Sequence, residues 1–188
     1  TPVIIVGIFL VVAVIFIVDI MTPDTADMRF ILVYNTETVT EEEFAEVADR
    51  AGQYIYDIDG NGKEQISPQM MQLKEDPKDD YDIMVYQQVT TTLVDDDVSF
   101  YVVDDYVYNY FLKSEALAPL SDFGITGGEN EDRILLNDTD LLKGTELASK
   151  GKFYLVFKPK SESKKNSEDI EKRYEMAVAM AKSLLGQE

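Results

Sequence analysis

Two acidic constellations in this chain have the residue types and spacing for chemistry. In the run DIDGNGK, Asp57, Asp59 and Asn61 alternate with Ile58, Gly60 and Gly62. Alternate oxygens turned inward on a bend that glycine permits are the opening of a calcium loop, and these three residues are its candidate ligands. The match stops downstream. An EF-hand closes with a bidentate Glu at its twelfth position, where this chain has Pro68, and Glu64 stands at the usually apolar eighth. The competing reading is a solvated turn in which Gly60 and Gly62 take positive φ and no metal is held.

The second constellation is the doublet Asp104 and Asp105, directly after the apolar run FYVV. A pair of carboxylates is the equipment of a glycosidase, one as acid and the other as nucleophile or base. Adjacent residues leaving a strand diverge, however, and no nucleophile elbow or further positioned acid accompanies them. Asp95, Asp96 and Asp97 read as a solvated turn, because three consecutive side chains do not face one ion without a loop. The chain has neither His nor Cys. That removes the commonest general base and metal ligand, thiolate zinc sites, disulfides and a lipidated cysteine. Against 17 Lys and Arg stand 36 Asp and Glu, a net charge of −19. Such a chain repels nucleic-acid phosphates and anionic headgroups, so nucleic acid is not expected as a partner.

The elements that position these groups follow from periodicity and caps. Residues 29–34 (RFILVY) read as a buried strand. Thr40 and Glu43 form a capping box with Val39 and Phe44 as its staple, and Phe44, Val47, Ala48, Ala51, Tyr54 and Ile55 follow at helical spacing. Residues 64–73 are an irregular strand confined by Pro68 to an edge or bulge. A helix then places Tyr81, Met84, Val85, Val89 and Leu93 on one face. The strand Phe100, Tyr101, Val102, Val103 ends at the Asp doublet, which caps an aromatic helix over 106–112. In that helix Tyr106, Tyr108, Tyr110 and Phe111 offer an aromatic patch rimmed by acids. Leu117, Pro119, Leu120 and Phe123 make an elbow that can fold back on the sheet. Residues 124–152 read as loop, broken by Ile134, Leu135 and Leu136. Residues 153–157 (FYLVF) are a central-looking strand, 158–166 a solvated basic connection, and the last helix starts near Ser167. Strands alternating with helices imply right-handed crossovers and an α/β domain with a mostly parallel sheet flanked by helices. With 188 residues and 45% hydrophobic content the chain suits one domain plus an appendage.

Residues 82–123 resemble the extracellular solute-binding proteins of bacterial ABC importers. In that family a helix precedes a strand reading like VVYVDD, a short aromatic helix and a tail like ALAPLDDF; here the corresponding segments are FYVVDD and ALAPLSDF. The resemblance implies one lobe of the type 2 periplasmic-binding fold, with a ligand at the carboxyl end of the strand beside Asp104, Asp105 and Tyr106. Such proteins carry a second lobe of well over a hundred residues, whereas 124–153 offers only about 30. The expectation is a single-lobe relative.

The apolar run that opens at Val3 and closes at Met21 is interrupted only by Asp19. As a helix it is about 28 Å long, close to the bilayer core of about 30 Å. It shows no polar face, as a core helix would, and no small-residue cleavage site follows it. The expected organisation is a transmembrane anchor over 1–21, a linker over 22–28 containing Pro23, and an extracytoplasmic domain over 29–188. No Lys or Arg precedes Arg29, and the acidic domain fits the outside of the cell membrane. The function expected is a membrane-tethered extracytoplasmic binding or sensory module without catalysis. A structural subunit of a cell-envelope assembly and a carboxylate-dependent glycosidase are the alternatives.

Overall fold

The computed structural model describes residues 26–36, 39–160 and 167–187. Its elements are β1 (Met28–Tyr34), α1 (Glu41–Ala51), β2 (Ile66–Gln72), α2 (Asp80–Val94), β3 (Phe100–Asp104), α3 (Asp105–Lys113), β4 (Arg133–Leu135), α4 (Glu146–Lys150), β5 (Phe153–Phe157) and α5 (Ser167–Leu184). The strands form one five-stranded sheet in the order β2-β1-β3-β5-β4.

Side chains alternate across β1 and divide the core in two. Phe30, Leu32 and Tyr34 face α1 and α5, joined by Phe100, Val102, Phe153, Leu155 and Phe157. Ile31 and Val33 face α2 and α3, joined by Tyr101, Val103, Tyr154 and Val156. The crossover through α1 steps from β1 outward to β2, and that through α2 steps back across β1 to β3. Two crossovers of one hand stepping in opposite directions must lie on opposite faces, as these do. The expected capping box is present: Thr40 Oγ1 accepts from Glu43 N, and Glu43 returns a carboxylate to Thr40 N at 2.8 Å. Pro68 lies in β2, at the sheet edge to which its missing N–H confines it. The elbow folds back as expected, with Leu120 buried and Phe123 stacked on Phe157 at 4.7 Å.

The sheet is mixed rather than mostly parallel. β1 pairs in parallel with β2 and β3, but β5 runs antiparallel to both β3 and β4. β5 follows β4 through residues 136–152, which hold turns and only the five-residue α4, and the chain returns antiparallel to β4 with no crossover helix along the sheet. The stretch 124–152 therefore contributes a strand and a helix where loop was expected.

Two further expectations change. On α2 the buried residues are Asp82, Val85, Val89 and Thr92, whereas Tyr81 and Met84 are 65% and 51% exposed. The inward stripe is turned toward Thr92, whose hydroxyl accepts from Tyr101 at 3.2 Å. Lys158 does not solvate a loop; it is buried, and its ammonium donates to the carbonyls of Leu93 and Asp95 at the end of α2. There it meets the negative pole of the helix. The acidic turn beside it is correspondingly neutralised: Arg29 pairs with Asp95, and Arg173 with Asp97 at 3.0 Å. The expected anchor over 3–21 lies outside the described residues. Among the described residues no helix is long and apolar enough to cross a membrane. Asp27 and Met28, in the expected linker, are buried, and Met28 opens β1.

Candidate functional site

The crevice between the carboxyl ends of β1 and β3 is where the winding of this sheet reverses, since the chain leaves β1 for one face and β3 for the other. Open α/β sheets bind ligands at that point. Here Asp104 closes it. The carboxylate is only 5% exposed. Its Oδ2 accepts from Asn35 N at 2.6 Å, Thr36 N at 3.1 Å and Thr36 Oγ1 at 3.2 Å, while Oδ1 accepts from Val107 N at 3.0 Å and caps α3. The loop after β1 and the first turn of α3 thus close on a carboxylate supplied by the chain itself. Asp104 is a structural clasp rather than a free ligand group.

Asp105 and Tyr106 go elsewhere. Asp105 is exposed and accepts from the hydroxyl of Tyr154 at 2.9 Å. Burial, followed by that neighbouring carboxylate, pushes the Tyr154 phenol up to about 12. The guanidinium of Arg133 lies over both Tyr154 and Tyr108, 4.2 and 4.3 Å from ring centres that are themselves 5.8 Å apart. Tyr108 donates to Asp132 at 2.8 Å, and burial and that acid raise its phenol as well. Glu129 pairs with Arg133 at 3.5 Å. Tyr106 is half-buried against the α2 side of the core. The expected aromatic patch is mostly interior: Tyr108 and Phe111 are buried, and Tyr110 meets Tyr86 edge to face. Asp104 and Asp105 point to different partners, as expected for neighbours leaving a strand. Arg133, Asp132 and Tyr154 were not among the sequence candidates.

At the opposite end of the sheet the DIDGNGK loop folds onto its own amides. Asp57 accepts from Gly60 N at 2.7 Å and Gly62 N at 2.8 Å, and both glycines take positive φ. Asp59 accepts from Asn61 N at 3.0 Å, and Asn61 Oδ1 from Lys63 N at 2.8 Å. Asp27, 1% exposed, joins this loop: its carboxylate accepts from Ile58 N at 2.7 Å and Gln65 N at 2.8 Å. One oxygen each from Asp27, Asp57 and Asp59 lies within 4.8 Å of the others, so these are the residues that could hold a divalent cation. Asn61 instead donates its amide to Asp59. The signal that leads to Asp27 is the parallel pairing of Met28 with Ile66, which puts the residue before β1 beside the loop before β2.

The outward side of α2 is of another kind. Tyr81, Ile83, Met84, Gln87, Gln88, Thr90, Thr91 and Val94 are exposed, and no residue from Ile83 to Val94 carries a charge. Val94 is 78% exposed. Comparison with protein-family models, with curated proteins and with solved structures gives no match for this chain.

Proposed function

We propose that this chain is a non-catalytic binding module, tethered to the cell membrane through residues 3–21 with its domain outside, and that it engages a protein partner through the outward face of α2. The observation that carries the reading is that face. A solvated helix of an acidic protein ordinarily turns charge to water, and the other long helices here do: α1 exposes Glu41, Glu42, Glu46 and Asp49, and α5 exposes Glu168, Glu171 and Glu175. α2 exposes Tyr81, Ile83, Met84 and Val94 instead, with the uncharged Gln87, Gln88, Thr90 and Thr91 between Met84 and Val94. Large apolar groups exposed on a helix face without charge are the kind of surface that contacts use. The clasp at Asp104 supports the choice of the helix over the sheet crevice, since the groups there already bond one another.

The test is a photoreactive side chain introduced at position 84 or 87 of the full chain in intact cells, with position 46 on α1 as the reference. Adducts at 84 and 87 and none at 46 are expected; equal yields at both helices overturn the reading. Protease added outside the same cells should digest the domain and leave a membrane-bound stub, and full protection would reverse the orientation.

A further inference from the structure

We propose that the outer edge of β2 is a docking surface separate from the α2 face, and that it receives an extended peptide segment as an added strand, apolar on one face with a lysine or arginine on that same face. The two edges of the sheet are unequal. β4 is only three residues long and carries Arg133, and its own preceding loop folds back on it, Glu129 N donating to the carbonyl of Arg133 at 3.1 Å. β2 is seven residues long, and among the described residues no strand pairs with its outer side. Natural edges are blunted by shortness, charge, bulges, proline or cover. No residue from Gln65 to Leu73 carries a charge, and the pairing with β1 runs without a bulge from Met28 to Tyr34. Pro68 is the one such device within the strand.

The direction of the backbone fixes which groups are on offer. Met28 N donates to the carbonyl of Gln65, and Leu73 N donates to that of Tyr34. With Met28 set against Ile66 and Tyr34 against Gln72, this ladder turns the amides and carbonyls of Ser67, Gln69 and Met71 toward β1. Those of Ile66, Pro68, Met70 and Gln72 therefore point away from the sheet, along a strand of about 23 Å. Such a row is matched by another chain in the extended conformation. Pro68 withholds one donor but keeps its carbonyl, so a strand can pair on both sides of it. The side chains beside the edge narrow the partner further. Pro68 and Met70 meet Phe44 and Ala45 of α1 in a groove of about 310 Å³, and among the described residues the one charge in its lining is Glu41. An added strand turns alternate side chains into that groove, so apolar groups fill it and a cation further along the same face meets Glu41. The cation separates this occupant from a second copy, whose β2 has none to offer and whose net charge of −19 opposes approach.

The probe is a capped, dye-labelled peptide of alternating threonine and valine with a lysine in place of its last valine, added to the full chain in detergent and followed by fluorescence anisotropy. Methylating the amide nitrogens of alternate residues removes the donors along one edge of the peptide and leaves its charge and side chains alone. One alternate set should weaken binding more than about tenfold, as the loss of two or three hydrogen bonds does, and the other less than about twofold. Gln72→Pro removes an outward donor that the β1 ladder does not use, so it should weaken binding about fivefold and leave the melting temperature near the parent's. Glu41→Gln should weaken it about twofold to fivefold and remove most of its salt dependence. Equal effects of the two methylated sets mean that no backbone ladder forms, and they overturn the proposal, as does failure of the unmethylated peptide to bind. If the chain instead forms a dimer that Gln72→Pro dissociates, a second copy occupies the edge and the peptide is overturned.

Discussion

α1 and α2 do the same architectural task on opposite faces of one sheet, each carrying the chain from one parallel strand to the next, yet they treat solvent differently. On α1 the polar groups bind the chain or face water. Glu43 pairs with Lys150, Arg50 donates to the carbonyls of Asp140 and Lys143, and Glu41, Glu42, Glu46 and Asp49 are exposed. On α2 charge is confined to the two ends, with Asp82 held by Lys74 and the last turn by Lys158. Between them the outward side is neutral. The inner faces are interchangeable in kind and the outer ones are not, which separates what a helix needs for folding from what it offers a partner.

The largest effects should be equal on the two helices. Val47→Asp and Val89→Asp each place an unpaired charge where the parent side chain is almost fully buried, and each should lose about 4 kcal/mol or more in urea unfolding. A large difference between them would break the equivalence of the inner faces. Next comes Asp104→Ala. It removes a helix cap worth about 1 kcal/mol and leaves the amides of Asn35 and Thr36 unpaired at about 1–3 kcal/mol, so roughly 3 kcal/mol is expected. Asp105→Ala, on an exposed residue, should lose far less. Equal losses for the two would remove the clasp.

The third effect sharpens the comparison through pH. The hydrogen bond from Lys150, then that from Thr40 N, holds the Glu43 carboxyl below its ordinary value; Lys74 does the same for Asp82. A depressed carboxylate stabilises the fold above its unfolded value of about 4 and loses that contribution as pH falls through the folded one. Acid titration of stability should therefore steepen below about pH 4 in the parent, and Glu43→Gln should flatten it. A slope unchanged in Glu43→Gln would place the acid sensitivity elsewhere.

The loop before β2 should respond less. Asp57→Asn with Asp59→Asn disturbs amide-accepting carboxylates and should shift stability by about 1 kcal/mol. Millimolar calcium and magnesium should move the parent's melting temperature alike, by screening. A rise specific to calcium and lost in the double variant would establish a metal site, worth roughly 2.7 kcal/mol at a hundredfold excess over Kd. The smallest change in stability belongs to Gln87→Glu on the exposed α2 face, within about 0.5 kcal/mol. Destabilisation well beyond that would mean the face serves the fold.

What could be read from residue order was what neighbouring residues decide. The Thr40 box, the Asp104 cap, the buried β1, β3 and β5, and Pro68 at an edge all follow from short-range pattern and sterics. The direction of β5 was hidden because it depends on how the turns of residues 136–152, which read as loop, return the chain. Lys158 was hidden because polarity alone sends a lysine to water, whereas a helix end and an acidic turn hold this one inside. Arg133 lay in a stretch that read as loop, and its two tyrosines arrive from β5 and α3. Asp27 could be tied to the calcium-like run only through strand register. The site is the least legible part because its members meet through the sheet rather than along the chain.

The Asp104 clasp also bears on the order of events in folding. It joins β3 to the segment after β1 across 69 residues, and Arg29 meets Asp95 across 66. Neither bond can form before both crossovers have brought β1 and β3 together, and closing so long a loop is entropically unfavourable until the sheet rewards it. Bonds made after the rate-limiting step leave refolding almost untouched and act on escape from the native state. Asp104 is in that sense a latch on unfolding: its loss should shorten the lifetime of the folded domain while the speed of reaching it stays nearly the same.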